Sequence, residues 1–363
     1  MILKYMKKIT SVILILSSLL AREWVAAGTD SPAKPDWNVE IFSTNEMHIV
    51  FDLHGYYLEK MEDGKIRITF PGGVPILEKG APDLPCMARS IVIPDLGHME
   101  LEIIDADYVD MSVGDLVSSK GNITRNINPS LVPYTYSTAY ETDAFYPQEI
   151  AFLRDPYILR SLRGQSLVFQ PMQYNPVAGT LRIYTYIKVR VYENGISIIN
   201  PLVRRPPGSS AGREYENVYG QHFINFSIPS TRYEPVEEDS RMLVICYGPF
   251  MDAMQPLVDW KNLKGLPTEL VDFSIVGETA VDIDNYVENY YYEQGLTYLL
   301  LVGDIDQIPS LRFSEGAGSN SPADPAYSFI SGDDYYPDIF VGRFSAEDTT
   351  HVNTICIKNI YII

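Results

Sequence analysis

The chain has 363 residues, enough for two domains with sizeable cores, and its 46% apolar and 21% charged residues are typical of a folded globular protein. The formal net charge is −19, from 28 Lys and Arg against 47 Asp and Glu. This balance argues against a nucleic-acid partner and against an anionic membrane surface, because both need a basic binding face. It fits an exported protein, a cation-binding protein or simply an acidic, solvated surface.

The first 27 residues are typical of a secretory signal peptide. Three lysines in the first eight residues precede an apolar run over residues 9–20, and small residues at 25–27 suit a cleavage site. The run is too short to cross a bilayer as a helix, and no later segment reaches about 18 uninterrupted apolar residues. We therefore predict a secreted or cell-surface protein that has no transmembrane segment.

The cysteines do not describe a disulfide framework. Cys86, Cys246 and Cys356 are a sparse and odd set for a protein that export would place in an oxidising compartment. Cys246 lies inside an apolar run, which predicts a small core residue.

Strand patterns dominate the chain from about residue 36 to residue 225. The clearest alternation covers residues 181–192, as in a half-buried strand. The residues on its apolar face are Leu181, Ile183, Ile187, Val189 and Val191. The pair Asn194-Gly195 that follows predicts a turn. Because Pro and Gly clusters separate the short strand-like runs and no long helical pattern intervenes, we predict an all-β, sandwich-like domain.

A polar, proline-containing segment at residues 228–240 predicts a domain boundary. Arg232 in this segment is a candidate processing site or an ordinary linker arginine. Strand and helix patterns alternate after Ser240, with strands at 241–247, 267–273 and 296–302 and helices at 250–264 and 281–295. This order predicts a parallel α/β sheet.

Acidic residues occur where the predicted sheet ends and again before a fourth predicted strand. Asp304 directly follows the third strand, and ligands of open α/β sheets bind beyond the carboxyl ends of the strands. The segment SGDDYYPDIFVGRFS, residues 331–345, places Asp333, Asp334 and Asp338 ahead of an apolar run. From the residues alone, both a cation site and a plain β-turn remain open.

The second half of the chain resembles the gingipain family of cysteine peptidases. The resemblance rests on STRYEPVEEDSRMLVICYG, LVDWKNLKGLPTELV, LTYLLLVGDIDQIPS and DDYYPDIFVGRFSAED. The strand-rich half resembles the gingipain propeptide through EKGAPDLPCMARSIVIPD, DPYILRSLRGQSLVF and QYNPVAGTLRIYTYIKVRVYENG. The resemblance implies a signal peptide at 1–27, an all-β propeptide at 28–232 and, at 233–363, the truncated N-terminal part of a caspase-like α/β peptidase domain with a mostly parallel sheet.

The same resemblance implies a peptidase precursor that acts on protein or peptide substrates. Its propeptide is expected to contact its own catalytic domain and to be released by cleavage after a basic residue, which here is the bond between Arg232 and Tyr233. A non-catalytic binding or inhibitory module of the propeptide type and a surface adhesin are the alternatives.

The resemblance also implies a structural calcium ion. The matching positions are Asp304, Asp334 and Asp338 through their carboxylates and Ser331 and Tyr336 through their carbonyls. Such a mixture of hard oxygen ligands is what calcium prefers. Asp304 would come from a neighbouring strand end, so that the ion would join the loop to the sheet. Asp338 stands where the family has a glutamate-like residue, which shortens the reach of the carboxylate by one methylene.

The expected catalytic residues are absent from this sequence. A caspase-like peptidase needs a thiolate and an imidazole, and the resemblance places both beyond Ile363, so the chain as written is expected to be inactive. His351 and Cys356 are not a dyad, because they share a predicted helix, with Ser345 as its candidate N-cap, on which five residues place them about 140° apart.

Overall fold

The computed structural model describes residues 22–43, 45–204, 213–227, 240–313 and 320–361. These residues form two compact units. The first contains the described parts of Met1–Ser90, His98–Arg154 and Ser166–Gly195, and the second contains those of Ile91–Gly97, Asp155–Gln165 and Ile196–Ile363. The predicted boundary after Arg232 and the greater part of the predicted signal peptide, residues 1–21, lie outside the described residues.

The described residues up to Ile196 are rich in strands. These are β1 (Glu23–Ala26), β2 (Asp36–Ser43), β3 (Glu46–Asp52), β4 (Gly55–Lys60), β5 (Ile66–Thr69), β6 (Val74–Pro75), β7 (Pro85–Val92), β8 (Gly97–Ser112), β9 (Ala151–Leu153), β10 (Tyr157–Leu159), β11 (Leu162–Phe169), β12 (Met172–Asn175) and β13 (Thr180–Ile196). Short 3₁₀ helices occupy Pro129–Leu131 and Thr138–Tyr140. The predicted strand-rich character of this region is confirmed, but the prediction that residues 28–232 are all-β is too strict, because the helix Arg213–His222 lies within that span.

Strand β13 forms the centre of one antiparallel sheet, whose order is β12-β13-β3-β2, and β8 also pairs with β13. A second sheet has the order β1-β4-β5, and β6, β7, β9, β10 and β11 form a third. The apolar residues of the β13 alternation are buried as predicted. Each is at most 3% exposed: Leu181, Ile183, Ile187, Val189 and Val191. The turn predicted at Asn194-Gly195 is wrong, because β13 continues to Ile196.

The second unit contains a parallel sheet with helices. Its elements after residue 212 are α1 (Arg213–His222), β14 (Met242–Cys246), α2 (Met251–Leu263), β15 (Thr268–Asp272), α3 (Phe273–Val276), α4 (Ala280–Gln294), β16 (Tyr298–Val302), β17 (Phe340–Phe344) and α5 (Thr349–Tyr361), with 3₁₀ helices at Gly248–Phe250 and Asp324–Ser328. The strand order is β15-β14-β16-β17 and every neighbouring pair is parallel, as the alternation of patterns predicts.

Apolar side chains cover both faces of this sheet. Leu243 and Ile245 of β14 pack with Ile283 of α4, whereas Val244 and Cys246 belong to a core that contains residues of α2 and α5. These four residues of β14 are each at most 1% exposed. Because successive strand residues point to opposite faces, a strand covered on both sides is apolar at every position. Each such buried side chain contributes roughly 1.5–3 kcal/mol of transfer free energy.

The helix ends follow local capping chemistry. Thr279 and Asp282 form a reciprocal capping box at the start of α4, and Gly295 ends this helix in the left-handed region at φ 77°. Helix α5 begins at Thr349, where Asp348 accepts a hydrogen bond from the backbone N–H of His351 at 2.9 Å. Ser345 was expected to cap this helix, and the start at Thr349 shows that this prediction is wrong. Across the described ranges, no helix is both long and apolar enough to cross a membrane.

Candidate functional site

The acidic loop, which we define as residues 330–338, leads from the 3₁₀ helix Asp324–Ser328 into strand β17. Its last residue, Asp338, is 0% exposed. One carboxylate oxygen of Asp338 accepts from the backbone N–H of Ile330 at 3.0 Å and of Ser331 at 2.6 Å. The other oxygen accepts from the backbone N–H of Arg160 at 2.6 Å. Burial raises the pKa of Asp338 to about 7, although these three N–H donors favour the charged form.

Asp334 makes similar contacts from the middle of the acidic loop. Its Oδ2 accepts from the backbone N–H of Ile158 in β10 at 2.8 Å, and its Oδ1 accepts from the N–H of Tyr336 at 2.9 Å. The ring of Tyr336 stacks on that of Tyr157, with centroids 3.7 Å apart. Burial raises the pKa of Asp334 as well. The backbone N–H groups of Ile158 in β10 and of Arg160 just after it therefore donate to carboxylates of the acidic loop.

Arg160 lies in the two-residue loop between β10 and β11, and it is buried. Its Nη1 donates to the carbonyl oxygens of Leu296 and Asp338, both at 2.8 Å. Its Nη2 donates to Thr297 Oγ1 at 3.3 Å. The guanidinium thus joins the start of β16 to the end of the acidic loop.

The opposite end of the parallel sheet is organised by Arg343 of β17. Its guanidinium binds Asp324 with two hydrogen bonds of 2.7 Å and also donates to the carbonyls of Gly303 and Ile308. Ser310 donates to Asp324 at 2.5 Å. Burial opposes the charge on Asp324, but the bonds from Arg343 and Ser310 outweigh it and hold its pKa below the usual range. The loop beyond the carboxyl end of β16 is therefore fixed by one half-buried ion pair.

The structure does not bring the five predicted calcium ligands together. Strands β16 and β17 are parallel, with Tyr298 opposite Phe340 and Val302 opposite Phe344. Asp304 follows the carboxyl end of β16, whereas the acidic loop precedes the amino end of β17. The length of a five-residue strand, about 16 Å, therefore separates them. This register contradicts the prediction that Asp304 lies beside the acidic loop.

The remaining four predicted ligands are close together in the chain. The carboxylates among them make hydrogen bonds to backbone N–H groups. Both Asp334 and Asp338 accept backbone N–H groups, so calcium could bind these carboxylates only if these hydrogen bonds opened. Within the part of the chain that the structure describes, no three His, Cys, Asp or Glu side chains form a metal-binding group. Calcium binding at Ser331, Asp334, Tyr336 and Asp338 stays a prediction.

The described thiols are not suited to nucleophilic chemistry. Cys86, Cys246 and Cys356 are all buried, and burial raises the pKa of each thiol, to about 12 in Cys246. Cys356 contacts the sulfur of Met254 in the core, whereas the side chain of His351 is 53% exposed. This separation agrees with the exclusion of the pair as a dyad. The predicted processing residues Arg232 and Tyr233 lie outside the described residues.

The buried arginines are the residues that sequence reasoning missed. Arg160 and Arg163 stand three residues apart in an otherwise apolar segment, YILRSLRG, and both are at most 2% exposed. One available signal is a charged residue within a run of apolar strand residues. Such a residue is buried with the strand, and a buried arginine needs several hydrogen-bond acceptors. Their partners lie far along the chain and leave no local pattern.

Comparison with known proteins identifies the relatives of this chain. Residues 36–228 match the family Propeptide_C25, and residues 236–362 match Peptidase family C25. The chain is 39% identical over 292 residues to Gingipain R2 of Porphyromonas gingivalis, a match that covers 79% of this chain and 38% of that protein. It is 26% identical over 305 residues to Lys-gingipain of the same organism, which covers 80% of this chain and 17% of that protein.

A solved complex of the pro- and mature domains of RgpB from Porphyromonas gingivalis also matches, with 35% identity and a TM-score of 0.47 over 53% of this chain and 97% of that chain. The chain belongs to the family Propeptide_C25, whose match covers more than half of it, and residues 236–362 match Peptidase family C25. It spans less than half the length of the curated relatives described above.

Proposed function

We propose that this chain is the N-terminal portion of a secreted cysteine endopeptidase precursor, in which the strand-rich region is the propeptide. The observation that supports this proposal is the order of the two family matches along one chain, residues 36–228 followed by residues 236–362. The proposed substrates are proteins and peptides. Export through the signal peptide at residues 1–27 and processing between Arg232 and Tyr233 are parts of the same proposal.

The described residues supply the scaffold of this proposed precursor rather than its chemistry. Arg343 and Asp324 fix the loop at the carboxyl end of β16, where α/β sheets bind ligands. Arg160 and Asp338 join the propeptide-family region to the peptidase-family region inside the second compact unit. The catalytic thiolate and imidazole are proposed to come from residues that follow Ile363 in the natural product.

A peptidase assay on the natural product tests this function. The product that contains this sequence is captured with an antibody raised against the 363-residue chain, and its hydrolysis of fluorescently labelled casein is measured with and without iodoacetamide. We expect activity that thiol alkylation abolishes and that a serine-directed sulfonyl fluoride leaves intact. Absent activity, or activity indifferent to alkylation, contradicts the proposal.

A calcium ion at the acidic loop is a separate proposal. Ser331 and Tyr336 would contribute carbonyls and Asp334 and Asp338 carboxylates, and waters would complete the six to eight ligands. Binding would have to open the hydrogen bonds from Ile158 and Arg160. Thermal unfolding of the chain with millimolar calcium and with a chelator tests it. A melting temperature that does not differ between the two conditions removes the proposal.

A further inference from the structure

A cleft of about 290 Å³ lies within the first compact unit, away from every site described above. Its volume is close to the lower limit of about 300 Å³ for small-molecule sites. Two cationic side chains line it in a chain whose net charge is −19. We call it the Arg67–Lys120 cleft, and the lining residues that matter most are Arg67, Pro75, Leu77, Asp83, Ser118 and Lys120.

The guanidinium of Arg67 keeps hydrogen-bond donors that the nearest carboxylates do not use. Its Nε lies 3.8 Å from Asp83 Oδ2, and its Nη1 lies 3.9 Å from Glu59 Oε2. Both distances exceed the 2.7–3.2 Å that is typical of an N–H···O hydrogen bond, to within about 0.1 Å. Arg182 of the same unit, by contrast, binds Asp110 with two hydrogen bonds of 2.8 Å. Arg67 therefore retains a planar fork of donors that suits a carboxylate.

The ammonium of Lys120 is held by two neutral groups. Its Nζ donates to the carbonyl oxygen of Pro129 at 2.8 Å and lies 4.4 Å from the ring centroid of Tyr134. A lysine ammonium has three N–H donors, so the bond to Pro129 leaves two of them. Because neither partner carries a charge, they leave the positive charge of Lys120 uncompensated. The cleft thus contains two cations with donors to spare.

Two other lining residues are in unfavourable states. Ser118 is 1% exposed, and its Oγ has no hydrogen-bond partner among the described residues. A buried hydroxyl without a partner destabilises a fold, and a polar group bound in the cleft can supply that partner. Leu77 has φ 52°, in the left-handed region, where glycine is the usual residue. Strained residues of this kind cluster at ligand-binding sites.

Asp83 and the apolar wall restrict the chemistry of the ligand. Burial raises the pKa of Asp83, and the charge of Arg67 opposes this shift. A dianion such as phosphate would meet the carboxylate of Asp83 in the same cleft, whereas an N–H group of a ligand can donate to it. Leu77 is 47% exposed beside Pro75 and offers surface to an aliphatic side chain.

We propose that the Arg67–Lys120 cleft binds a small carboxylic acid that also carries an N–H group, which is either a free amino acid or the C-terminal residue of a peptide. The carboxylate accepts from the donors that Arg67 and Lys120 retain. The N–H group donates to Asp83, and an aliphatic side chain lies on Pro75 and Leu77. Binding uses residues of the first unit alone and needs no peptidase activity.

Saturation-transfer NMR on the full chain at low ionic strength tests this site. The probe is N-acetyl-leucine, which has the carboxylate, the amide N–H and an aliphatic side chain, and N-acetyl-leucinamide is the matched probe without the carboxylate. We expect saturable binding of N-acetyl-leucine and binding of the amide that is weaker by about tenfold or more. Free leucine separates the two sources. Leucine that binds at least as tightly as N-acetyl-leucine indicates a free amino acid, and weaker binding of leucine indicates the end of a peptide.

Lys120→Met should weaken the binding of N-acetyl-leucine by about tenfold, because it removes charge-assisted hydrogen bonds. Lys188→Met is the matched control, because Lys188 belongs to the same unit and pairs with Glu40 at 3.4 Å outside the cleft. It should bind the probe as the wild type does. Ser118→Ala removes a hydroxyl without a partner, so it should weaken binding while the melting temperature stays the same or rises.

The second variant keeps the test decisive if Lys120→Met does not fold. Equal binding of N-acetyl-leucine and its amide overturns the proposal, as does inorganic phosphate that binds more tightly than N-acetyl-leucine. Binding that neither Lys120→Met nor Ser118→Ala weakens also overturns it.

Discussion

Arg160 donates its backbone N–H to a carboxylate oxygen of Asp338 at 2.6 Å, across a separation of 178 residues. Both residues are buried, and they belong to the same compact unit although they lie in different family regions. Removing a hydrogen-bond donor from a buried carboxylate costs free energy. The contact between Arg160 and Asp338 therefore opposes separation of the two family regions. The end of the propeptide in the sequence is therefore not the end of the packed unit.

Arg163 is expected to be among the most sensitive positions of the second unit. It is 0% exposed and donates to four backbone carbonyls, those of Asn200, Pro94, Gly97 and Ile199. Lysine cannot satisfy this fork, so Arg163→Lys leaves buried carbonyls without donors. We expect it to lower the free energy of unfolding by about 3 kcal/mol in urea titrations.

The control for this change is Arg204→Lys, at a largely exposed arginine that pairs with Asp95 at 2.7 Å. An exposed ion pair contributes little, so its unfolding free energy should change by less than about 0.5 kcal/mol. Equal effects of the two substitutions would show that the carbonyl contacts of Arg163 do not stabilise the unit.

The Asp324–Arg343 pair predicts a pH dependence of stability. Because the folded pKa of Asp324 is below its unfolded value, the pair stabilises the fold above the unfolded pKa of about 4 and loses this effect as the pH falls through the folded pKa. We expect Asp324→Asn to lower the melting temperature at pH 7, and the difference from wild type to shrink by about pH 2. A difference that grows on acidification would refute this prediction.

The capping box of α4 predicts a smaller loss. Thr279 accepts the backbone N–H of Asp282 at 3.2 Å, and the Asp282 carboxylate accepts the N–H of Thr279 at 2.8 Å. Thr279→Ala removes one half of this box and should cost about 1 kcal/mol in the free energy of unfolding. Thr354→Ala, at an exposed position inside α5, is the control and should be neutral or slightly stabilising, because alanine favours helix interiors. A loss at Thr279 no larger than at Thr354 would contradict the role of the box.

The sequence predicts the elements of this protein well where the signal is local. The alternation at residues 181–191 and the fully apolar run at 243–246 report burial directly, because side-chain direction in a strand alternates with period two. The helix stop at Gly295 follows from its left-handed conformation. Ser345 was the wrong cap because two later residues, Asp348 and Thr349, begin the helix instead.

The site was harder to predict because its contacts are long-range. Asp304 and Asp338 flank neighbouring parallel strands, but one follows β16 and the other precedes β17, which places them at opposite ends of the sheet. Parallel strands alone exclude a contact between Asp304 and Asp338. The chain that leaves the carboxyl end of one strand must return to the opposite end of the sheet before the next parallel strand begins. The pairing of Arg160 with Asp338 left no local signal at all.

The propeptide-family region is anchored to the peptidase-family region inside the second compact unit. Inserting a recognition sequence for a specific endopeptidase between Arg232 and Tyr233 of the full chain, and cutting it there, tests this by size-exclusion chromatography. We expect the two pieces to elute together, near the 41.0 kDa of the intact chain, until denaturant is added. Elution as two separate peaks under native conditions would contradict it.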